Sequence, residues 1–395
     1  MRERLGAGPM MDVVKLAVVG VLLLGLGAAA VGAGILPIAD AVEVGERVWP
    51  VLLFVVAATV VAELAAIAGV FDVAASRLAR FARGRTWLLW LCVVGLAIVT
   101  TSFLSLDTTA VLLTPVVVAV ARSHGLPPLP FAFATVWLAN TASLMLPVSN
   151  LTNLLAVHRL EIANPGEFVA LLGASAFTAI AVSTALLVLI FRRSLRGSFP
   201  PASDPEVTDP LQLRFAAVVV VVMMPLLVSG IEPWMPASAA AVVLLLFFSW
   251  RSPAVLRLRL VPWSLVVFAS GLFVTVAALQ QVGLREALLA VVGTGDDLFA
   301  LWQLSGAGAL AANIVNNLPA YLALESAADS PARLAALLVG VNAGPLITPW
   351  ASLATLLWHQ RLHAMGVEVP WRRYLLLGTV AAPLTVLAAV VPLAL

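Results

Sequence analysis

Residues 105–117 read SLDTTAVLLTPVV and residues 140–155 read NTASLMLPVSNLTNLL; further on, residues 313–325 read NIVNNLPAYLALE and residues 341–357 read VNAGPLITPWASLATLL. Each stretch sets polar and helix-breaking residues where an apolar helix should run. Backbone amides cannot stay unpaired in lipid, so broken segments at membrane depth survive only when buried in protein or lining a water-filled cavity. Two such pairs in corresponding halves of one hydrophobic chain point to a binding site near the bilayer midplane.

The 395 residues are 62% hydrophobic and only 11% charged, with a mean hydropathy of +1.07, which places the chain in a bilayer as a polytopic all-α protein. The first apolar run follows Arg2, Arg4 and Lys15 and reads as a retained helix rather than a cleaved leader. The net charge is +2, and the basic residues sit in short loops, which suits orientation control and excludes a nucleic-acid surface. Cys92 is the sole cysteine, so an intramolecular disulfide and a multi-thiolate metal site within one chain are both ruled out. No cofactor is called for.

Spans are expected at 14–36, 48–70, 133–158, 166–191, 212–230, 237–250, 262–280, 334–358 and 372–394. Two apolar segments, about 86–122 and 298–328, are interrupted at Ser105–Thr109 and Asn313–Pro319 and read as re-entrant hairpins whose arms are short for a full crossing. The arginine clusters at 77–85, 192–196, 251–259 and 372–373 then share one side, the cytoplasm, with the N-terminus inside and the C-terminus outside a cytoplasmic membrane. The segment with Asp40, Glu43 and Glu46 is expected in an outer loop. An offset of 209 carries Asp107 onto Asn316, and within one residue of it 71–85 lies over 281–295; an offset of 202 carries Asn140 onto Asn342, Asn150 onto Ser352 and Arg159 onto Arg361. The fold expected is two inverted repeats, 1–200 and 237–395, each with a re-entrant hairpin and a discontinuous helix, joined by a linker and helix at 201–236.

Broken helices bring helix ends to the midplane, where amide dipoles, carbonyls and neutral side chains can hold a small polar solute. The candidate binding residues are Asp107, Thr108, Thr109, Asn140, Thr141, Ser143, Ser149, Asn150, Thr152 and Asn153 in the first half, and Asn313, Asn316, Asn317, Asn342, Thr348, Ser352 and Thr355 in the second. Any one of them can instead cap a helix or join two helices. Asp107 and Glu63 are the acids inside apolar segments, and an ionisable group there marks an ion or proton pathway, so both are candidates for proton coupling. For Asp107 the alternative is a fixed cap on the helix that follows. For Glu63 it is a simple reach to water or a nearby arginine. The eleven tryptophans read mostly as a belt at span ends.

At these motifs the chain resembles the arsenical-pump permease (ArsB) family, within the larger ion-transporter group that also holds NhaD-type sodium/proton antiporters and dicarboxylate carriers. The likeness runs over most of the chain and is strongest in LDTTAVLLTPVV, NTASLMLPVSNLTNLL, NIVNNLPAYLALE and GVNAGPLITPWASLATLLW. It implies an elevator-type fold, with the hairpins and broken helices as a mobile transport domain and the other helices as a scaffold that often dimerises. It also implies export of arsenite or antimonite in exchange for protons. One departure stands at the first tip, where some relatives carry Asn-Asp and this chain has Leu106-Asp107.

Arsenite is mostly an uncharged trihydroxide, which hydroxyl and amide groups suit better than arginines, and with one cysteine its recognition must use oxygen or nitrogen. No Lys or Arg falls in the four motif cores, which counts against a tightly held carboxylate substrate. A sodium/proton antiporter or a dicarboxylate-type anion carrier on the same scaffold is the alternative. An intramembrane enzyme is a remote one, since HExxH, GxSxG and P-loop motifs are all lacking. ATP use would need a separate soluble ATPase partner. The remaining partners are lipid, the metalloid and protons, with a homodimer open.

Overall fold

The computed structural model describes residues 8–162, 164–200 and 207–395. Arg2, Arg4 and the start of the expected linker, 201–206, lie outside the described residues. The first half runs α1 (Gly8–Gly32), α2 (Ile38–Ile67), α3 (Val70–Phe81), α4 (Thr86–Leu104) and α5 (Leu106–Ser123). It continues with α6 (Leu129–Thr141), α7 (Leu151–Arg159) and α8 (Pro165–Phe191). After α9 (Pro210–Leu226) the order recurs as α10 (Trp234–Arg251), α11 (Trp263–Gln281), α12 (Leu284–Val292), α13 (Leu298–Val315) and α14 (Asn317–Leu324). It closes with α15 (Pro331–Ala343), α16 (Leu353–Ala364) and α17 (Trp371–Val390). Eight helices among the described residues are long and apolar enough to cross a membrane.

Helix pairing obeys the repeat. α1 lies against α11 as α2 lies against α10, and α4 lies against α6 as α13 lies against α15. α2 meets α11, and α8 meets α17, across the boundary between the halves. Even the entries to the short amphipathic helices agree, for Gly69 (φ 83°) precedes α3 and Gly283 (φ 92°) precedes α12, left-handed turns that cost glycine nothing.

Both interrupted segments are hairpins. Arg85, before α4, bridges to Ser198, while His124, just after α5, meets the Pro200 carbonyl through Nδ1 at 2.8 Å, so the two ends of the first hairpin share one place. In the second, Ser330 donates to Asp296 at 2.6 Å. Arg333, only 1% exposed, donates to the carbonyls of Gly295 and Gly293 at 2.8 Å and of Ala327 at 3.3 Å. The bases lie at opposite ends of the bundle. α6 leaves the first base and α7 ends beside the second hairpin, whereas α15 leaves the second base and α16 ends where Arg122 donates to the Met365 carbonyl at 2.7 Å. The repeats are therefore inverted.

Three expectations need correction. The outer loop holding Asp40, Glu43 and Glu46 is helical: α2 has 30 residues, about 45 Å, and carries its charged turns beyond a hydrocarbon core of about 30 Å. The hairpin arms are longer than expected, since α4 and α5 have 19 and 18 residues. Trp90, Trp137 and Trp358 are buried rather than in a belt, and the indoles of Trp90 and Trp358 donate to the Pro130 and Ala132 carbonyls. Outside the apolar segments, Asp209 caps α9 and its carboxyl is held below the usual range, chiefly by the Arg251 hydrogen bond at 2.7 Å.

Candidate functional site

The two hairpin tips break at single residues with nearly the same unusual backbone: Ser105 at φ 90°, ψ 160° and Asn316 at φ 134°, ψ 158°. That region is close to glycine-only and costs on the order of 1–3 kcal/mol at other residues. Each side chain then caps the next helix, Ser105 Oγ accepting from the Thr108 amide and Asn316 Oδ1 from the Leu318 amide. The structural mate of Asn316 is thus Ser105, and Asp107 falls two residues further along, matched with Leu318. This corrects the 209-residue register, which had aligned the polar residues instead of the breaks. Past the tip, a π-helical turn at Thr109–Leu113 absorbs the strain before Pro115.

The discontinuous helices keep the 202-residue register. α6 unwinds after Thr141 and resumes at α7 behind the cap Asn150, while α15 unwinds after Ala343 and resumes at α16 behind the cap Ser352. Pro147, Pro345 and Pro349 stand in the breaks, where a missing N–H does no harm. Each tip is tied to the break of its own repeat. Ser149 Oγ donates to the Ser102 carbonyl at 3.0 Å; Asn316 Nδ2 donates to the Trp350 carbonyl and the Asn317 amide to the Ala351 carbonyl, both at 2.9 Å.

The repeats are joined through Asn342. Its Oδ1 accepts from Asn150 Nδ2 at 2.6 Å and from Thr152 Oγ1 at 3.0 Å, and its Nδ2 donates to Asn153 Oδ1 at 2.7 Å. Asn153 in turn donates to the carbonyls of Ser143 and Leu146. Asn342, Asn150, Thr152 and Asn153 are all buried. An amide has room for about four hydrogen bonds, and Asn313 uses all of them on backbone. It donates to Ala309 and Gly344 and accepts from the amides of Ile347 and Thr348, while Thr348 Oγ1 donates back to its carbonyl. Asn313 and Thr348 thereby hold the break open as a fixed shape.

Hydrogen bonding sorts the remaining candidates. Thr109 bonds Thr100 and Thr101 inside the first hairpin, Thr141 bonds Ser183 on α8, and Ser352 and Thr355 bond each other at 3.0 Å. Asp107 and Asn140 differ. Half-buried Asp107 has no hydrogen-bond or ion-pair partner among the described residues, on a segment that packs against α16. Asn140 is 1% exposed and donates only within its own helix, to Val136, leaving Oδ1 without a partner. The hydroxyl of Ser102, matched with Asn313 by the corrected tip register, is likewise buried and unpartnered. Buried polar groups are rarely left unbonded. The first repeat therefore keeps unspent capacity at Asn140 and Ser102 where the matching Asn342 and Asn313 of the second are bonded. Glu63 stands apart on α2, where Arg361 is the charge acting on it, and no hydrogen bond joins it to either tip among the described residues.

One constellation escaped the sequence reading. Glu325, at the end of the third motif, is 5% exposed and accepts from Arg47 of α2 and from the Tyr321 hydroxyl at 3.1 Å. Arg47 also donates to the Leu155 carbonyl of α7 at 3.3 Å. A carboxylate in an otherwise apolar helix end was the available signal, and its arginine lay in what read as a loop. No group of His, Cys, Asp and Glu among the described residues is arranged to hold a metal ion.

Inverted hairpins and broken helices, meeting at a buried neutral cluster among eight membrane-length helices, define a multi-pass membrane transporter rather than an enzyme. A family model described as citrate transporter matches residues 10–355, and the chain belongs to that family, in the group that includes the arsenical-pump permeases. The arsenical pump membrane protein of Yersinia enterocolitica is 30% identical over 89% of this chain and 88% of its own length. That of Escherichia coli is 30% identical over 89% and 87%. A putative arsenical pump membrane protein of Bacillus subtilis (strain 168) is 25% identical over 90% and 89%. The crystal structure of the Alcanivorax borkumensis YdaH transporter, described as having an unusual topology, shares the fold at 16% identity with a TM-score of 0.58, covering 97% of each chain.

Proposed function

We propose that the protein is a secondary active transporter that exports arsenite or antimonite across the cytoplasmic membrane by proton antiport, with its N-terminus in the cytoplasm. The observation that carries this reading is the unspent capacity at Asp107 and Asn140 beside a neutral cluster of amides and hydroxyls. A trihydroxide offers donors and acceptors to such groups without needing a charged partner, while an acid at membrane depth gives protons a place to bind. The relatives named as arsenical pumps support the same cargo. Asp107 takes the proton, and Asn140, Thr108 and Asn317 contact the solute. The hairpins with α6, α7, α15 and α16 move as one body against α1, α2, α10 and α11, and the halves divide at the 201–236 connection.

Everted vesicles test this directly. A proton gradient should drive arsenite uptake, and Asp107→Asn should abolish the coupled flux while leaving a folded protein. Full-rate, pH-dependent uptake by that variant would remove Asp107 from coupling. The family's citrate description supports a second reading, an anion carrier in which helix N-termini receive carboxylates. Citrate competing with, or replacing, arsenite in the same vesicles would favour it.

A further inference from the structure

The contact surface between α2 and the hairpin-bearing helices is apolar for most of its length, with Phe54, Val61 and Leu64 of α2 in the same buried cluster as Leu154, Leu155 and Leu318. Apolar surfaces can slide past one another with little loss, because no directional bond has to break. Polar links fix a position. Arg47 carries the one ion pair across this surface among the described residues, and it engages two moving parts together: Glu325 of the second hairpin and the Leu155 carbonyl of the first broken helix. Tyr321, fully buried, holds the Glu325 carboxylate from the other side. Gln280 of α11 adds only a long contact, 3.5 Å, to the Leu322 carbonyl.

Glu325 is buried while Arg47 keeps a third of its side chain exposed; where a charge is buried, desolvation offsets much of the attraction, yet losing its one partner is costly. A pair of that kind on a surface built to slide is suited to holding one of two positions. We propose that Arg47 and Glu325 form a latch between scaffold and transport body, closed in the conformation described here and opened once in every transport cycle. The latch rests on the alternating-access reading above but not on the identity of the cargo. Arg47 and Glu325 are positioning residues: neither touches the solute, and both set which side of the membrane the site faces.

Two measurements test it. In a Cys92→Ala background, spin labels attached through Leu53→Cys on α2 and Ile314→Cys on α13, both exposed positions, report the distance between the two bodies without any substrate. Neutralising the pair as Arg47→Met with Glu325→Gln should shift the distance distribution toward a second population. A distribution identical to that with the pair intact would overturn the latch. In everted vesicles, Arg47→Cys with Glu325→Cys, bridged by a short bifunctional thiol reagent that a phosphine reductant cleaves, should lose at least tenfold in arsenite uptake and regain it on cleavage. Undiminished uptake by the bridged protein would show that the two residues never part. If the labels shift but no variant, nor the parent, moves arsenite, the cargo assignment fails and the latch stands.

Discussion

Asn140 and Asn342 occupy equivalent positions in the two repeats, yet their truncations should fail in different ways. Asn342→Ala removes three hydrogen bonds, to Asn150, Thr152 and Asn153, at 2.6, 3.0 and 2.7 Å. Three buried groups lose a partner in water-free surroundings, and each such loss costs about 1–3 kcal/mol. Because the three belong to one network the sum is not additive, so a loss of at least about 3 kcal/mol is expected, or a melting temperature lower by roughly 4 °C or more. Asn140→Ala gives up one bond within its own helix and also removes an acceptor that had no partner. Its stability should change by no more than about 1 kcal/mol, while arsenite uptake should fall steeply because the acceptor is the part of the site not already spent on the protein. The melting curve of purified protein, read by tryptophan fluorescence, and uptake into everted vesicles separate the two effects. If Asn140→Ala destabilised the fold as much as Asn342→Ala, the inferred division of labour between the repeats would be wrong.

The second tip offers a test of backbone strain: Asn316→Gly loses the same side-chain bonds as Asn316→Ala but relieves a φ of 134°, so the glycine variant should melt higher, by an amount equivalent to about 1–3 kcal/mol. Equal melting would mean that the tip conformation carries no strain. Both variants should bind arsenite more weakly than the parent. Asn164, between the spans expected at 133–158 and 166–191, caps α8 by accepting from the Glu167 amide at 3.2 Å, so Asn164→Ala should cost about 1 kcal/mol without affecting binding. At the α13–α15 contact, a Cβ on Gly340 would collide with the backbone of Ser305, whereas one on Gly306 meets nothing within 4 Å. Gly340→Ala should therefore sharply reduce the yield of folded protein and Gly306→Ala should not, against the propensity rule that favours alanine at both. Folded yield by size-exclusion chromatography decides it.

The repeat, the hairpins and the broken helices were legible because their signal is a contrast: polar and helix-breaking residues inside apolar runs. Where that contrast was lacking the reading slipped. The first three turns of α2 carry Asp40, Glu43, Glu46 and Arg47, and charged helix outside the bilayer looks like loop to any argument built on hydropathy. The tip register slipped by two residues because side-chain polarity is visible in sequence and a positive φ at a serine is not. Arg333, in an apolar helix start, gave no hint that the hairpin base closes around it, since beyond its ion pair with Asp329 at 3.2 Å its partners are backbone carbonyls that every sequence possesses.

The corrected register changes how the site should be understood. With Ser105 matched to Asn316, both tips have a strained, self-capped turn as their common element, and Asp107 becomes an addition to one repeat rather than a substitution at a shared position. The same one-sidedness recurs at Asn140 and Ser102: of their counterparts in the second repeat, Asn342 makes three side-chain hydrogen bonds and Asn313 four. A symmetric fold that has bonded Asn342 and Asn313 for rigidity and kept capacity unspent at the matching Asn140 and Ser102 has a fixed wall and a responsive wall. Under the proposed function the proton binds on the responsive wall, in the first repeat, and the solute lies between that wall and Asn317 of the second. A coupling carboxylate works best when nothing else in the protein competes for its proton or its charge, and Asp107 is the acid in the apolar segments that meets this condition, because Glu325 is claimed by Arg47 and Tyr321 and Glu63 lies under the charge of Arg361.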